Sequence, residues 1–174
     1  MTFEFNLQGT GRGAIAVLAM TILLSSSATV NAEPHGNPSL AGTWTLVAAD
    51  VEKPGGTRTH EYGEHPKGQM MIDEKGRYSI QIYDPGLANF AANESEPTPK
   101  EYHDALEAAS AHFGQITVDW TQHILRIAIH GSLYPYLRGS VQVRPFQLDG
   151  EVLSYRIPPN PEGVVRISVW RRER

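Results

Sequence analysis

The chain has 174 residues, a length typical of a single domain. Apolar residues make up 40% of it and charged residues 20%, a globular balance that excludes a disordered, highly charged chain. The sequence contains no cysteine, which excludes disulfides, Cys-ligated zinc, iron–sulfur clusters and thiol nucleophiles. A net charge of −4 gives no electrostatic reason to expect a nucleic-acid partner.

The N-terminal region predicts a secretory signal peptide. Arg12 precedes the uncharged residues 13–24, and Val30 and Ala32 occupy the small-residue positions expected before a cleavage site. The alternative is a transmembrane anchor, but a spanning helix needs about 20 apolar residues and this run is shorter. We therefore predict a signal peptide over residues 1–32 that is cleaved after Ala32, and no stable membrane anchor. A linker over 33–41 and one folded domain over 42–174 would follow, in a secreted or periplasmic protein.

The folded domain shows the pattern of antiparallel strands, because short segments of alternating apolar and polar residues are separated by turn residues. Asp73–Gly76 and Asp149–Gly150 predict hairpin turns. Closing such strands into an up-and-down barrel removes the exposed edges that an open sheet would leave. The predicted strands are residues 42–49, 69–72, 77–83, 116–118, 124–130, 141–148, 151–157 and 164–170.

One segment follows a helical period. Residues 98–101, Thr-Pro-Lys-Glu, form a capping box with proline at the first helical position. Tyr102, Leu106 and Phe113 recur at helical spacing, and Gly114 supplies a stop signal. The pattern predicts a helix of about four turns between the third and fourth strands. We expect its apolar stripe to cover the open end of the barrel.

Several runs of the sequence resemble a known family. Gly42-Thr43-Trp44 resembles the Gly-x-Trp opening of the lipocalins, and residues 170–172 resemble their closing basic residue, which stacks over that tryptophan. We expect Arg171 to make this contact with Trp44. The resemblance implies an all-β, eight-stranded, lipocalin-like barrel with a cavity and one inserted α-helix over 42–174, and it implies no particular reaction. The runs that match small bacterial and fungal lipocalin-like domain proteins are residues 62–68, 76–82, 131–135 and 143–150.

Strand alternation selects candidate ligand-binding residues, because every second side chain faces the same side of a sheet. The resemblance favours Gln81 and Tyr83 as cavity residues, whereas a fully apolar core would place them outside. Arg144 shares a face with Phe146 and could anchor an anion or a carbonyl, or form a structural ion pair. The predicted ligand-binding residues are Trp44, Gln81, Tyr83, Arg144, Phe146 and Tyr155.

Candidate chemistry centres on His130, whose ordinary pKa near neutrality suits proton transfer. As a base it could act with Arg144 or Tyr155 stabilising an oxyanion, although a structural role is the simpler interpretation. His60 to His65 hold four possible metal ligands, but Gly63 and Pro66 disfavour a helix there, and we predict no metal and no cofactor.

Three functions remain open from the sequence. The first is binding of a small, largely apolar or amphipathic molecule in the barrel cavity. The second is a cofactor-independent isomerase, cyclase or lyase acting in the same cavity. The third is a structural protein whose barrel is filled by its own side chains.

Overall fold

The computed structural model describes residues 39–91 and 96–174, so the predicted signal peptide lies outside the described residues. Nine strands form one antiparallel sheet, and β1 pairs with β9 to close it. The short strand β2 pairs with β1, and the other eight strands make the closed barrel. The strands are β1 Gly42–Glu52, β2 Arg58–His60, β3 Lys67–Ile72, β4 Arg77–Tyr83, β5 Ala109–Asp119, β6 Ile124–Ser132, β7 Val141–Asp149, β8 Val152–Ile157 and β9 Val165–Arg172, with the helix α1 Pro99–Glu107 and a 3-10 helix Pro135–Leu137.

The predicted barrel is confirmed, and α1 lies between the third and fourth barrel strands as expected. The capping box is confirmed as well, since Thr98 and Glu101 exchange the two expected hydrogen bonds. Among the described residues, no helix is both long enough and apolar enough to span a bilayer.

The predicted length of the helix is wrong. α1 has 9 residues and none of its side chains is buried, so it does not seal the open end with an apolar stripe. Residues from Ala109 onward form β5 instead, and Ala109 to Gln115 pair with all seven residues of β4. Tertiary pairing overrides the local helical pattern here, because a helical segment would leave one edge of β4 without hydrogen-bond partners.

Gly114 is therefore a strand residue and not a helix stop. It lies where the register between β5 and β6 shifts, opposite Ile129. A Cβ atom at Gly114 would lie 2.0 Å from the carbonyl oxygen of Ala128. The two strands can approach this closely only because glycine has no side chain.

The expected contact between Trp44 and a terminal arginine is present, but the arginine is Arg172. Its guanidinium lies 4.2 Å from the centre of the Trp44 ring, while Arg171 is exposed on the outer face. At this end of β9 the fully buried Trp170 and the half-buried Arg172 take the inward positions, so Arg171 between them points outward. Burying this large ring decides the register, since a shift by one residue would expose it.

This end of the barrel, which we call the base, is closed by the segment that enters β1. Arg172 donates to the carbonyl oxygens of Ser39 and Ala41, and the Trp44 indole donates to Leu40 O at 3.0 Å. Large side chains pack the adjoining interior. Those with 2% exposure or less include Trp44, Met70, Ile80, Leu125, Ile127, Ile129, Leu153 and Trp170.

Candidate functional site

In the described part of the chain, two basic side chains are buried among the apolar residues of the barrel interior. They are His112, on β5, and Arg144, on β7. Burying a polar or charged group is costly unless its hydrogen bonds are satisfied, so each needs a structural or functional reason.

His112 is held by a buried tyrosine on the neighbouring strand. The Tyr78 hydroxyl lies 2.8 Å from Nδ1 of His112, and the two rings meet edge to face with centroids 5.4 Å apart. Burial, and to a smaller extent the charge of Arg144, lower the pKa of His112 from 6.5 to about 4. Burial also raises the pKa of the Tyr78 hydroxyl. At neutral pH both groups are therefore uncharged.

Arg144 is 4% exposed, yet no carboxylate among the described residues lies within 4.0 Å of it. Its Nε and Nη2 atoms donate to the side-chain oxygen of Gln142 on the same strand. Its guanidinium also lies 4.9 Å from the centre of the Tyr155 ring. A cation over an aromatic ring gains about 2 kcal/mol when desolvated, which offsets only part of the cost of burial.

Some polar atoms in the barrel interior have no hydrogen-bond partner among the described residues. Nη1 of Arg144, Nε2 of His112 and the hydroxyl of Tyr155 have no hydrogen-bond partner there. Trp170 Nε1 is the only fully sealed side-chain nitrogen or oxygen without a partner in the described ranges.

The cluster members act on each other electrostatically. Burial has the largest effect on the pKa of both His112 and Tyr78. The positive charge of Arg144 lowers both pKa values to a smaller extent, and Tyr155 raises that of Tyr78 more weakly still. We call Tyr78, His112, Arg144 and Tyr155 the interior polar cluster.

A second ionic group, formed by Glu61 and Arg166, lies near the cluster. Glu61 pairs with Arg166, and burial raises the pKa of the Glu61 carboxyl although Arg166 and, more weakly, Arg144 lower it. Tyr62 is also half-buried beside this pair. Arg144 thus has a carboxylate within electrostatic range but outside salt-bridge distance.

The structure divides the predicted ligand-binding residues. Arg144 and Tyr155 belong to the interior polar cluster. Trp44 and Phe146 are also interior but pack at the base, where Phe146 meets the ring of Trp120 with centroids 5.5 Å apart. Ligand contact by these four residues stays a prediction.

The expectation that Gln81 and Tyr83 face the cavity is wrong. Both are exposed on the outer face of β4, and Tyr78, Ile80 and Ile82 face inward. Three large apolar groups favour the interior more strongly than a face with one serine and one glutamine.

His130 does not share a site with Arg144 and Tyr155, because it is exposed on the outer face of β6. The predicted catalytic set is therefore not assembled. His112, which falls within the predicted helix, is the interior histidine. A strand interpretation of residues 109–115 would have placed it inside, opposite Ile80.

The His60–His65 segment holds no converging set of ligands. His60 pairs with Asp50 at 3.0 Å, whereas Glu61 pairs with Arg166. Across the described residues, no three His, Asp or Glu side chains come together as metal ligands would.

Among the depressions formed by the described residues are two of about 340 Å³ each. The first is at the base, between residues 39–41, the 73–76 turn and residues 115–120. The second lies over β4, β5 and β6 and includes the exposed Phe113 and Leu133 as well as His112. The base depression is the more polar one, but the buried charge lies in the interior cluster, which therefore remains the stronger candidate site.

A closed antiparallel barrel whose interior holds unpartnered polar atoms is of the class that can enclose a small molecule. The profile of the lipocalin-like domain family matches residues 41–172, which span the barrel from β1 to β9. The chain belongs to this family, as its sequence resemblance predicted. Searches of the curated proteins and of the solved structures gave no match.

Proposed function

We propose that this protein binds a small amphipathic molecule inside the barrel, with an anionic or carbonyl group of the ligand at Arg144. The observation that carries the proposal is a guanidinium that is 4% exposed, has no carboxylate within 4.0 Å in the described residues and keeps Nη1 unpartnered. A buried cation is stabilised by an acceptor that satisfies its remaining donors.

The remainder of the ligand would be apolar. The rings of Tyr155 and Tyr78 belong to the same buried core as Ile80 and Ile129 and offer apolar surface to a ligand. Apolar walls supply affinity and a few polar groups supply orientation, which is the usual division of roles in a ligand site.

A matched pair of fluorescent dyes tests the proposal. Anilinonaphthalene sulfonate and N-phenylnaphthylamine share their aromatic rings, and only the first carries a permanent negative charge. Arg144→Met keeps most of the buried volume and removes the charge. It should weaken binding of the sulfonate by about 1.5–3 kcal/mol, the range for a hydrogen bond to a charged group, and leave the neutral dye nearly unaffected.

Arg126→Met is the matched control, because Arg126 is exposed on the outer face of β6. It should change neither affinity. Equal losses for both dyes in Arg144→Met would assign Arg144 to the fold and not to the ligand. If neither dye binds the unmodified protein, the filled-barrel function takes the place of this one. If the dyes bind as expected, mass spectrometry of small molecules that copurify with the protein would identify the natural ligand class.

The enzyme alternative, a cofactor-independent isomerase, cyclase or lyase, needs an interior acid–base group. His112 is better suited to that role than His130, since it is buried beside Arg144 and hydrogen-bonded to Tyr78. Turnover of the copurified compound that disappears in His112→Gln would support this function. Binding without turnover leaves the ligand-binding function as proposed.

We also propose that the protein is exported and that cleavage follows Ala32, giving a secreted or periplasmic product. The support is the sequence pattern of residues 12–32. N-terminal sequencing of protein recovered from the extracellular or periplasmic fraction tests this, and a chain that begins at Met1 or within residues 13–24 would contradict it.

A further inference from the structure

We infer that the barrel interior takes up a ligand anion and a proton together, with the anion held by Arg144 and the proton by His112. The inference rests on the proposed function, because it concerns the same interior site. It adds a second ligand-contacting residue and restricts the ligand class to oxyanions such as carboxylates, sulfonates or enolates.

The first step is the arrangement of the histidine. Tyr78 occupies Nδ1 of His112 at 2.8 Å, and the edge-to-face contact holds the imidazole ring in place. Nε2 has no hydrogen-bond partner among the described residues. When His112 is protonated, Nδ1–H donates to the Tyr78 oxygen and Nε2–H is free to donate to a ligand oxygen.

The second step concerns the charges around His112. Tyr78 of β4 is hydrogen-bonded to His112, and Arg144 of β7 is the one charged side chain in the described ranges whose charge acts on the pKa of His112. In the described part of β6, the neighbouring Ile129 and Ser132 carry no charge. Arg144 is thus the charge that opposes protonation of His112, and no carboxylate faces the imidazole directly. Beyond these groups, Glu61, which pairs with Arg166, interacts electrostatically with Arg144.

The third step is linkage. An anion bound to Arg144 cancels the positive charge that opposes the imidazolium and adds an acceptor for Nε2–H. Protonation of His112 and binding of the anion therefore favour each other, and this coupling is reciprocal. A neutral ligand would gain nothing from the proton, so its binding should not depend on the state of His112.

The test compares binding of anilinonaphthalene sulfonate and of the neutral N-phenylnaphthylamine at about pH 8 and about pH 5. A sulfonate stays ionised throughout this range, so a change in its affinity reports on the protein. Burial is the larger cause of the lowered pKa of His112 and the anion does not remove it, so the sulfonate should bind several-fold more tightly near pH 5 than near pH 8. A gain of about 30-fold is the upper limit, reached if the bound anion restores the pKa to 6.5. Calorimetry in two buffers of different ionisation enthalpy should record proton uptake on sulfonate binding near pH 5, up to about one proton per sulfonate bound.

Two variants separate His112 from other sources of pH dependence. His112→Gln keeps an acceptor for the Tyr78 hydroxyl and should bind the sulfonate equally at both pH values, with no proton uptake. His130→Gln, at the exposed histidine, should behave like the unmodified protein. If His112→Gln does not fold, NMR titration of His112 in the unmodified protein decides, because the bound sulfonate should raise its pKa.

The outcomes are distinct. Sulfonate binding that is independent of pH, or pH dependence that persists in His112→Gln, overturns the proton coupling and leaves anion binding at Arg144 intact. A His112 pKa that bound sulfonate leaves unchanged would likewise overturn the proton coupling and leave anion binding at Arg144 intact. Failure of both dyes to bind the unmodified protein at any pH overturns the coupling and the proposed function together.

Discussion

Replacing Arg172 should open the base of the barrel, whereas replacing the adjacent Arg171 should have little effect. Arg172 stacks on Trp44 with its guanidinium carbon 4.2 Å from the ring centre. It also donates to the backbone oxygens of Ser39, at 2.6 Å, and Ala41. These contacts join the last strand to the segment that enters the first strand.

The expected magnitude follows from these contacts. A cation over an indole contributes about 0.5–2 kcal/mol, depending on its desolvation. Each hydrogen bond from a charged group contributes up to about 3 kcal/mol when buried, and less here because the Arg172 side chain is 22% exposed. Its ion pair with Glu151, at 3.4 Å, is near the surface and contributes under about 1 kcal/mol. Since these contributions are not additive, we expect Arg172→Met to lower the free energy of unfolding by about 2–3 kcal/mol.

Urea unfolding followed by far-ultraviolet circular dichroism measures this loss without relying on tryptophan emission, which the substitution itself would alter. The matched variant Arg171→Met removes an exposed charge one residue away and should change stability by less than about 0.5 kcal/mol. The slope of the unfolding curve should be the same in both variants. Equal losses in the two variants, or no loss in Arg172→Met, would refute the role assigned to Arg172 in closing the barrel.

Three further predictions concern His112, Gly114 and Thr98. The pKa of His112 is lowered in the folded state from 6.5 to about 4, so the free energy of unfolding should fall by about 3 kcal/mol as the pH is lowered from above 6.5 to 4. In urea unfolding measured over this pH range, His112→Gln should remove most of that fall. Gly114→Ala would bring a methyl group 2.0 Å from a backbone oxygen and should lower stability by about 2 kcal/mol or more in urea unfolding. Gly86→Ala, in an exposed loop where the methyl group would lie 3.1 Å from the Asp84 side chain, should cost clearly less because that side chain can move. Thr98→Ala should destabilise α1 by about 1 kcal/mol, seen as faster hydrogen exchange of its amides with little change in global unfolding, because the helix buries none of its side chains.

The interior site was only partly predictable from the sequence. Arg144 and Tyr155 were identified because a charged or hydroxylated residue stands out on an otherwise apolar strand face. His112 and Tyr78 were missed for different reasons. The residues around His112 fit a helical period. The alternation along residues 77–83 did not decide whether the face with Tyr78 or the opposite face lies inside the barrel. Their pairing becomes visible only when β4 and β5 are placed side by side.

The sequence by itself determined the elements that depend on local interactions. Alternation of apolar residues, the turn residues between them and the Thr98–Glu101 capping box act within a few residues, and they predicted the strands, the hairpins and the start of the helix. Only the tertiary structure decided where that helix ends, which face of β4 is inside and whether Arg171 or Arg172 meets Trp44. Each of these choices depends on partners distant in the chain. Hydrogen bonding along β4 selected a strand over a helix at residues 109–115. Burial of Trp170 selected the register of β9, because a shift by one residue reverses every side chain of a strand.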